Sequence, residues 1–175
     1  MSDSEDLIKL SARDAVQLLE IGEVTPLELI DAALARIAKV DGDVNALPTL
    51  CPERAREAAR NLPPAPEDKR GWLGGLPVAI KDMMEVEGVR TTYASPIYKD
   101  FVPGFSHPMV EKLEANGGLV LAKSNTPEFA AGASTFNEVF GKTRNPWNTS
   151  LTAGGSSGGS AVALATGQIW LAHGS

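Results

Sequence analysis

The run Gly154-Gly155-Ser156-Ser157-Gly158-Gly159-Ser160-Ala161 constrains this chain more than any other stretch. It is a backbone almost free of side chains, followed at once by an Ala/Val/Leu segment of helical composition. Glycine permits positive φ and lets other groups approach the main chain closely. A loop of this kind can set hydroxyls and bare N–H groups around a small reacting carbonyl, as acyl transfer requires. A second unusual segment lies upstream, Gly75-Leu76-Pro77-Val78-Ala79-Ile80-Lys81-Asp82, where an apolar strand ends in a lysine. Lysine is seldom buried unless it is paired or chemically used. A serine loop and a strand-end lysine together point to hydroxyl activation by an amine rather than by histidine.

The 175 residues suffice for about one domain. A hydrophobic share of 43% and a charged share of 22% describe a globular chain able to bury a core. The net charge of -6 and the scattered basic residues leave no footprint for nucleic acid and no basic stripe for a membrane surface. No apolar run approaches the roughly 20 residues of a membrane span. The acidic start, Met1-Ser2-Asp3-Ser4-Glu5-Asp6, lacks the basic and apolar regions of a signal peptide. A cytoplasmic protein with neither nucleic-acid nor membrane partners is the expectation. Cys51 is the sole cysteine, which excludes a disulfide framework and a cysteine metal cluster and predicts a partly buried thiol.

Residues 1–70 read as a helical segment and residues 71–175 as the first part of an α/β core, a mixed sheet flanked by helices. Ser11 with Asp14 resembles a capping box, and Gly22 ends the helix that follows. Thr25-Pro26-Leu27-Glu28 starts another helix, with Leu29, Ile30, Ala33, Leu34 and Ile37 as its buried stripe and Asp41-Gly42-Asp43 as its end. An extended piece over 45–49 and a polar helix over 52–61 come next, then a proline-rich connector over 62–68. Leu76–Ile80 and Leu119–Ala122 read as strands, separated by a helix over 108–116 with Ser106 as its cap, a βαβ-like unit. Lys123–Thr126 and Gly141–Ser150 read as polar loops, and Ser160–Thr166 as the helix after the glycine run.

Taken alone, the glycine-serine loop has three readings. A phosphate cradle would need the Gly-Lys-Ser/Thr ending of a P-loop, and no lysine is present. A nucleophile elbow centred on Ser157 fits G-x-S-x-G but needs a histidine base. Only His107 and His173 exist, and neither has the sequence order that such a hydrolase requires. A flexible linker fits the composition, though not the apolar helix directly after it. Lys81, likewise, is either a snorkelling strand-end lysine or, buried among hydroxyls, an amine whose lowered pKa makes it a base.

The two segments in this order resemble the amidase signature family. Ala122-Lys123-Ser124-Asn125-Thr126-Pro127-Glu128-Phe129 and Thr143-Arg144-Asn145-Pro146-Trp147 are similar to that family as well. The resemblance implies carboxamide hydrolysis through an acyl-enzyme formed by a Ser-Ser-Lys triad. Lys81 matches the base, and Ser156 matches the relay serine, whose peptide bond is cis in the family. Gly154, Gly155, Ser157, Gly158 and Gly159 match the rest of the loop. Ser134 and Gly132 fall where the family's substrate-pocket loop passes. Asp82 is expected to orient the turn after Lys81, and Met83, Met84, Trp147 and Trp170 to pack in the core. The family's nucleophile lies in a later Asp-x-Gly-Gly-Ser segment that also forms the oxyanion hole. His173-Gly174-Ser175 matches the residues just before it, so the nucleophile is expected beyond Ser175. The chain is then expected to be the N-terminal part of a longer amidase, and alone it should be nearly inert. Neither metal nor organic cofactor is implied. The implied partner is a small-molecule amide, and a homodimer of the full-length protein is compatible with the resemblance. Two other functions remain open: the glutamine-hydrolysing subunit of a tRNA-dependent amidotransferase, and a non-catalytic remnant or binding module.

Overall fold

Helix signals in the first sixty residues act as their chemistry dictates in the computed structural model, which describes residues 4–175. After α1 (Ser4–Leu7), Ser11 caps α2 (Ala12–Ile21) by accepting from the Asp14 N–H, and Gly22 closes it in the left-handed conformation at φ 72°. Thr25 and Glu28 form a reciprocal capping box at the start of α3 (Pro26–Val44), with Pro26 in the first turn. Leu29, Ile30, Ala33 and Ile37 are buried along α3, and Leu34 is half-buried. The helix runs past Asp41-Gly42-Asp43 to Val44, and Asn45 stops it with φ 54°. The Asp41 carboxylate instead receives the N–H groups of Ala46 and Leu47, which turns the chain after the helix. Strand β1 (Thr49–Leu50) therefore starts later than the expected extended piece, and α4 (Pro52–Arg60) follows it.

The rest of the chain is α/β. In order come β2 (Pro77–Lys81), α5 (Pro108–Ala115), β3 (Leu119–Ser124), two small pairs β4 (Phe136–Asn137) with β5 (Gly141–Lys142) and β6 (Arg144–Asn145) with β7 (Asn148–Thr152), then α6 (Gly158–Ala165) and β8 (Leu171–Ala172). The main sheet has the order β1-β3-β2-β8, with β2 parallel to β3 and to β8, and β1 antiparallel to β3. Every residue of β2 and β3 is buried, as expected of parallel strands covered on both faces.

A bulge in β3 decides what each face carries. Val78 pairs with Val120, but Ala79 pairs with Ala122, Ile80 with Lys123 and Lys81 with Ser124, leaving Leu121 as the extra residue. Side chains alternate along a strand. Ala79, Leu121 and Ala122 accordingly pack with Leu29, Ile30 and Ala33 of α3 and with Val162 and Ala163 of α6. Val78, Ile80 and Val120 pack on the other side, with Val86, Val89 and Val110 of α5. Lys81 and Ser124 share the α6 face, while Lys123 lies with Ile80 on the α5 face.

Four local expectations are corrected. Lys123 and Ser124 belong to β3, and Lys123–Thr126 is fully buried rather than a polar loop, because each polar side chain but the Thr126 hydroxyl has an internal partner. The cap of α5 is His107, whose Nδ1 accepts from the Met109 N–H, while the Ser106 hydroxyl accepts from the Glu87 N–H. Helix α6 begins at Gly158, two residues earlier than expected. Trp147 lies on the β6–β7 turn at 82% exposure, not in the core, whereas Trp170 is buried and donates to the Leu7 carbonyl at 3.2 Å.

Candidate active site

The C-terminal end of β2 delivers Lys81 to the glycine-serine loop. Its Nζ lies 2.7 Å from Ser156 Oγ, 3.0 Å from Ser157 Oγ and 3.0 Å from Ser175 Oγ. The side chain is fully buried, and among the described residues no carboxylate pairs with it. Burial lowers its pKa from the usual lysine range. The Gly155–Ser156 peptide bond is cis.

The three hydroxyls are not equivalent. Ser157 Oγ accepts the Ser175 N–H at 3.0 Å and donates to the Ser175 carbonyl at 3.1 Å, so its proton is already committed. Ser156 Oγ and Ser175 Oγ each have Lys81 as the one hydrogen-bond partner among the described residues. His173 approaches from the end of β8, its N–H on the Ala79 carbonyl at 2.8 Å. Its imidazole pKa is lowered, first by burial and then by the charges of Lys81 and His107.

Neighbouring groups hold the loop in place. The Thr135 N–H donates to the Gly154 carbonyl at 2.9 Å, and Thr135 Oγ1 accepts from the Gly158 N–H at 3.1 Å. The Gly159 N–H donates to the Asn125 carbonyl at 3.1 Å, and Asn125 Nδ2 donates to Thr143 Oγ1 at 3.0 Å. Ser160 Oγ donates to the His173 carbonyl at 2.6 Å and lies 2.7 Å from Ser124 Oγ. None of Ser124, Asn125, Thr135 and Ser160 stands out as a support in the sequence. Three of them sit in segments already marked by the family resemblance, but buried threonine and serine carry no pattern that separates a loop support from an ordinary turn residue.

Ser134 and Gly132 lie apart from the lysine. Together with Pro127, Glu128 and Phe136 they line an open cavity of about 600 Å³, which Lys81 and Ser156 do not line. Ser134 still touches the loop through its backbone, since a side chain on Gly155 would come within 3.2 Å of the Ser134 nitrogen. Asp82, next in the chain to Lys81, turns away from the serines. Its carboxylate accepts from the Thr92 N–H and from Thr92 Oγ1 at 2.6 Å, and pairs with Lys123 Nζ at 3.1 Å. Met83 is half-buried, and Met84 packs against the α5-side cluster. Cys51 is a partly buried thiol whose pKa burial pushes up to about 11. Among the described residues, no three His, Cys, Asp or Glu side chains gather as a metal-ligand set, and no helix is long and apolar enough to cross a membrane.

The sequence model of the Amidase family matches residues 28–175. The chain belongs to the amidase family. Among its relatives, a glutamyl-tRNA(Gln) amidotransferase subunit of Roseiflexus sp. (strain RS-1) is 44% identical over 164 residues, which is 93% of this chain and 34% of that protein. A 6-aminohexanoate cyclic dimer hydrolase complexed with substrate superposes with a TM-score of 0.87 at 32% identity, covering 97% of this chain and 34% of that one. The corresponding glutamyl-tRNA(Gln) amidotransferase subunit of Thermotoga maritima gives 0.74 at 33% identity, over 93% of this chain and 33% of that one. This amidase chain thus spans about a third of the length of the relatives it matches.

Proposed function

We propose that these residues supply the base and the proton relay of an amidase that hydrolyses a carboxamide to a carboxylic acid and ammonia or an amine. The observation that carries this is a buried Lys81 amine ringed by hydroxyls and lacking a carboxylate partner among the described residues. A neutral amine has two N–H groups and one lone pair. Ser157, its own proton committed, accepts one N–H. Of the two remaining hydroxyls, Ser156 and Ser175, Ser156 is assigned as the donor to the lone pair because it matches the family's relay serine, which leaves the other N–H to Ser175.

The reaction follows from that arrangement. Lys81 Nζ takes the Ser156 hydroxyl proton as Ser156 Oγ takes one from the nucleophilic hydroxyl, which attacks the amide carbon. The same path runs backwards to protonate the departing nitrogen, the C–N bond breaks, and an acyl-enzyme remains for water to hydrolyse. The nucleophile and the oxyanion hole belong to sequence outside these 175 residues, in keeping with the chain's one-third coverage of its relatives. The substrate is a small-molecule amide, and the enzyme acts in the cytoplasm.

A second function is favoured by one observation: curated relatives at 39–44% identity are subunits of glutamyl-tRNA(Gln) amidotransferase. The same site would then release ammonia from glutamine for a tRNA-bound acceptor. The test is ammonia release by the native protein carrying this chain, assayed with primary and N-substituted carboxamides and with glutamine. Lys81→Ala should lower turnover by several orders of magnitude. Retained turnover would remove Lys81 as the base, and activity confined to glutamine would select the second function.

A further inference from the structure

The core of this fold holds two buried lysines on adjacent strands, each 0% exposed, and their surroundings are chemical opposites. Lys81 faces hydroxyls that can donate or accept. Lys123 Nζ faces groups that suit an ammonium: Asp82 Oδ1 at 3.1 Å, the Met84 carbonyl at 2.8 Å and Thr91 Oγ1 at 2.7 Å. Three N–H donors meet three oxygens, the complement of a charged lysine. The hydroxyl of Thr91 donates to the Val89 carbonyl, so it can only accept from Lys123. Burial pulls the Lys123 pKa down and Asp82 opposes that pull.

From this geometry we infer that Lys123 is a positioning residue for the amide reaction, holding the turn after Lys81 and cancelling the charge of Asp82 so that Lys81 can remain a neutral base. The inference rests on Lys81 being that base. Both functions of Lys123 follow from its contacts. The Met84 N–H donates to the Lys81 carbonyl at 3.1 Å and closes the Lys81–Met84 turn, and the Lys123 ammonium holds that turn at the Met84 carbonyl and the Asp82 carboxylate. Asp82 is the carboxylate adjacent to Lys81 in the chain, and a carboxylate left unpaired there would favour a protonated Lys81.

The charged and titratable groups around Lys81 are few. Asp82 follows it on β2, Lys123 stands on β3, and His173, its pKa lowered, stands after β8. Glu85 and Tyr93, hydrogen-bonded to each other at 2.6 Å, lie in the segment covering the Lys123 side. The glycine loop contributes only hydroxyls.

The sign of the effect on the reaction is fixed. The base works when neutral, so kcat/KM rises with pH as Lys81 loses its proton. In Lys123→Met the uncompensated Asp82 carboxylate stabilises protonated Lys81, and the acid limb should move up by about one pH unit. The double variant Lys123→Met with Asp82→Asn removes both charges, and its limb should return most of the way. A loss of packing alone would lower kcat in both variants without that displacement and return. An unmoved limb in Lys123→Met, or a displacement that persists in the double variant, overturns the proposal. Should the single variant fail to fold, the wild-type native protein decides by NMR of 13Cε-labelled lysines. Lys123 should stay protonated through the pH range in which Lys81 loses its proton, and a Lys123 that deprotonates with or before Lys81 overturns the proposal. Turnover surviving Lys81→Ala would instead remove the base itself, a different failure from a stationary limb.

Discussion

Gly159 has no room for a side chain. A Cβ there would lie 2.3 Å from the Asn125 nitrogen, 2.6 Å from the Ala46 carbonyl oxygen and 2.7 Å from the Asn125 carbonyl oxygen, all main-chain atoms that cannot rotate away. Gly159→Ala should therefore cost about 3 kcal/mol, the upper end of ordinary overpacking, because the strand end and the loop must separate. Gly42 supplies the control. It lies inside α3 with nothing within 4 Å of a Cβ, so Gly42→Ala should gain roughly 0.5–1 kcal/mol from helix propensity. Urea unfolding of both variants checks the pair, and equal effects would mean that close approach at Gly159 is not what demands glycine. The same local view separates Ser156 from Ser157. Their identities are the same, and the backbone partners of Ser157 commit its proton while that of Ser156 stays free to be passed on.

Helix starts are set by one or two side chains reaching a few atoms away, which makes them measurable singly. Thr25→Ala removes the acceptor for the Glu28 N–H and the hydroxyl that donates to the Glu28 carboxylate, and should cost about 1 kcal/mol in chemical denaturation. Such locality explains why α2, α3 and the β2–α5–β3 unit are legible in the sequence, whereas the meeting of Lys81 and Ser156, 75 residues apart, is legible only through the family resemblance. What could not be read depends on which partner each side chain finds, near or far in the chain. The Asp41 carboxylate bonds the backbone beyond α3, which postpones the strand. Ser106 is a good cap by type, but its hydroxyl is drawn to the Glu87 N–H, which leaves the cap to His107. Lys123 looks like loop polarity until Asp82, Thr91 and Met84 surround it. Trp147 looks like core until a tight β6–β7 turn, with the Trp147 N–H on Asn145 Oδ1, holds it outward.

At the scale of the molecule, folding and acidity are linked through Lys81. Its folded pKa lies below the unfolded value near ~10.4, so the unfolded chain binds more protons between the two values. Stability from this group is therefore withheld at low pH and gained as pH rises toward the unfolded pKa. Measured by urea unfolding from about pH 7 to pH 10, wild type should gain stability relative to Lys81→Met. A difference flat with pH would show that Lys81 titrates alike in both states. A second consequence of the whole architecture comes from the extra residue at Leu121. Parity along β3 works as an address: positions counted from the bulge are dealt alternately to two chemically separate compartments. Substitutions in this strand alter one compartment at a time, but one residue inserted beyond the bulge exchanges their contents. Inserting one residue between Ala122 and Lys123 would deliver the Lys123 ammonium toward the serine loop and leave Asp82 without its cation, whereas deleting Leu121 would only erase the bulge and keep Lys123 opposite Ile80. In related chains, variation beyond the bulge should accordingly be tolerated in kind and refused in number.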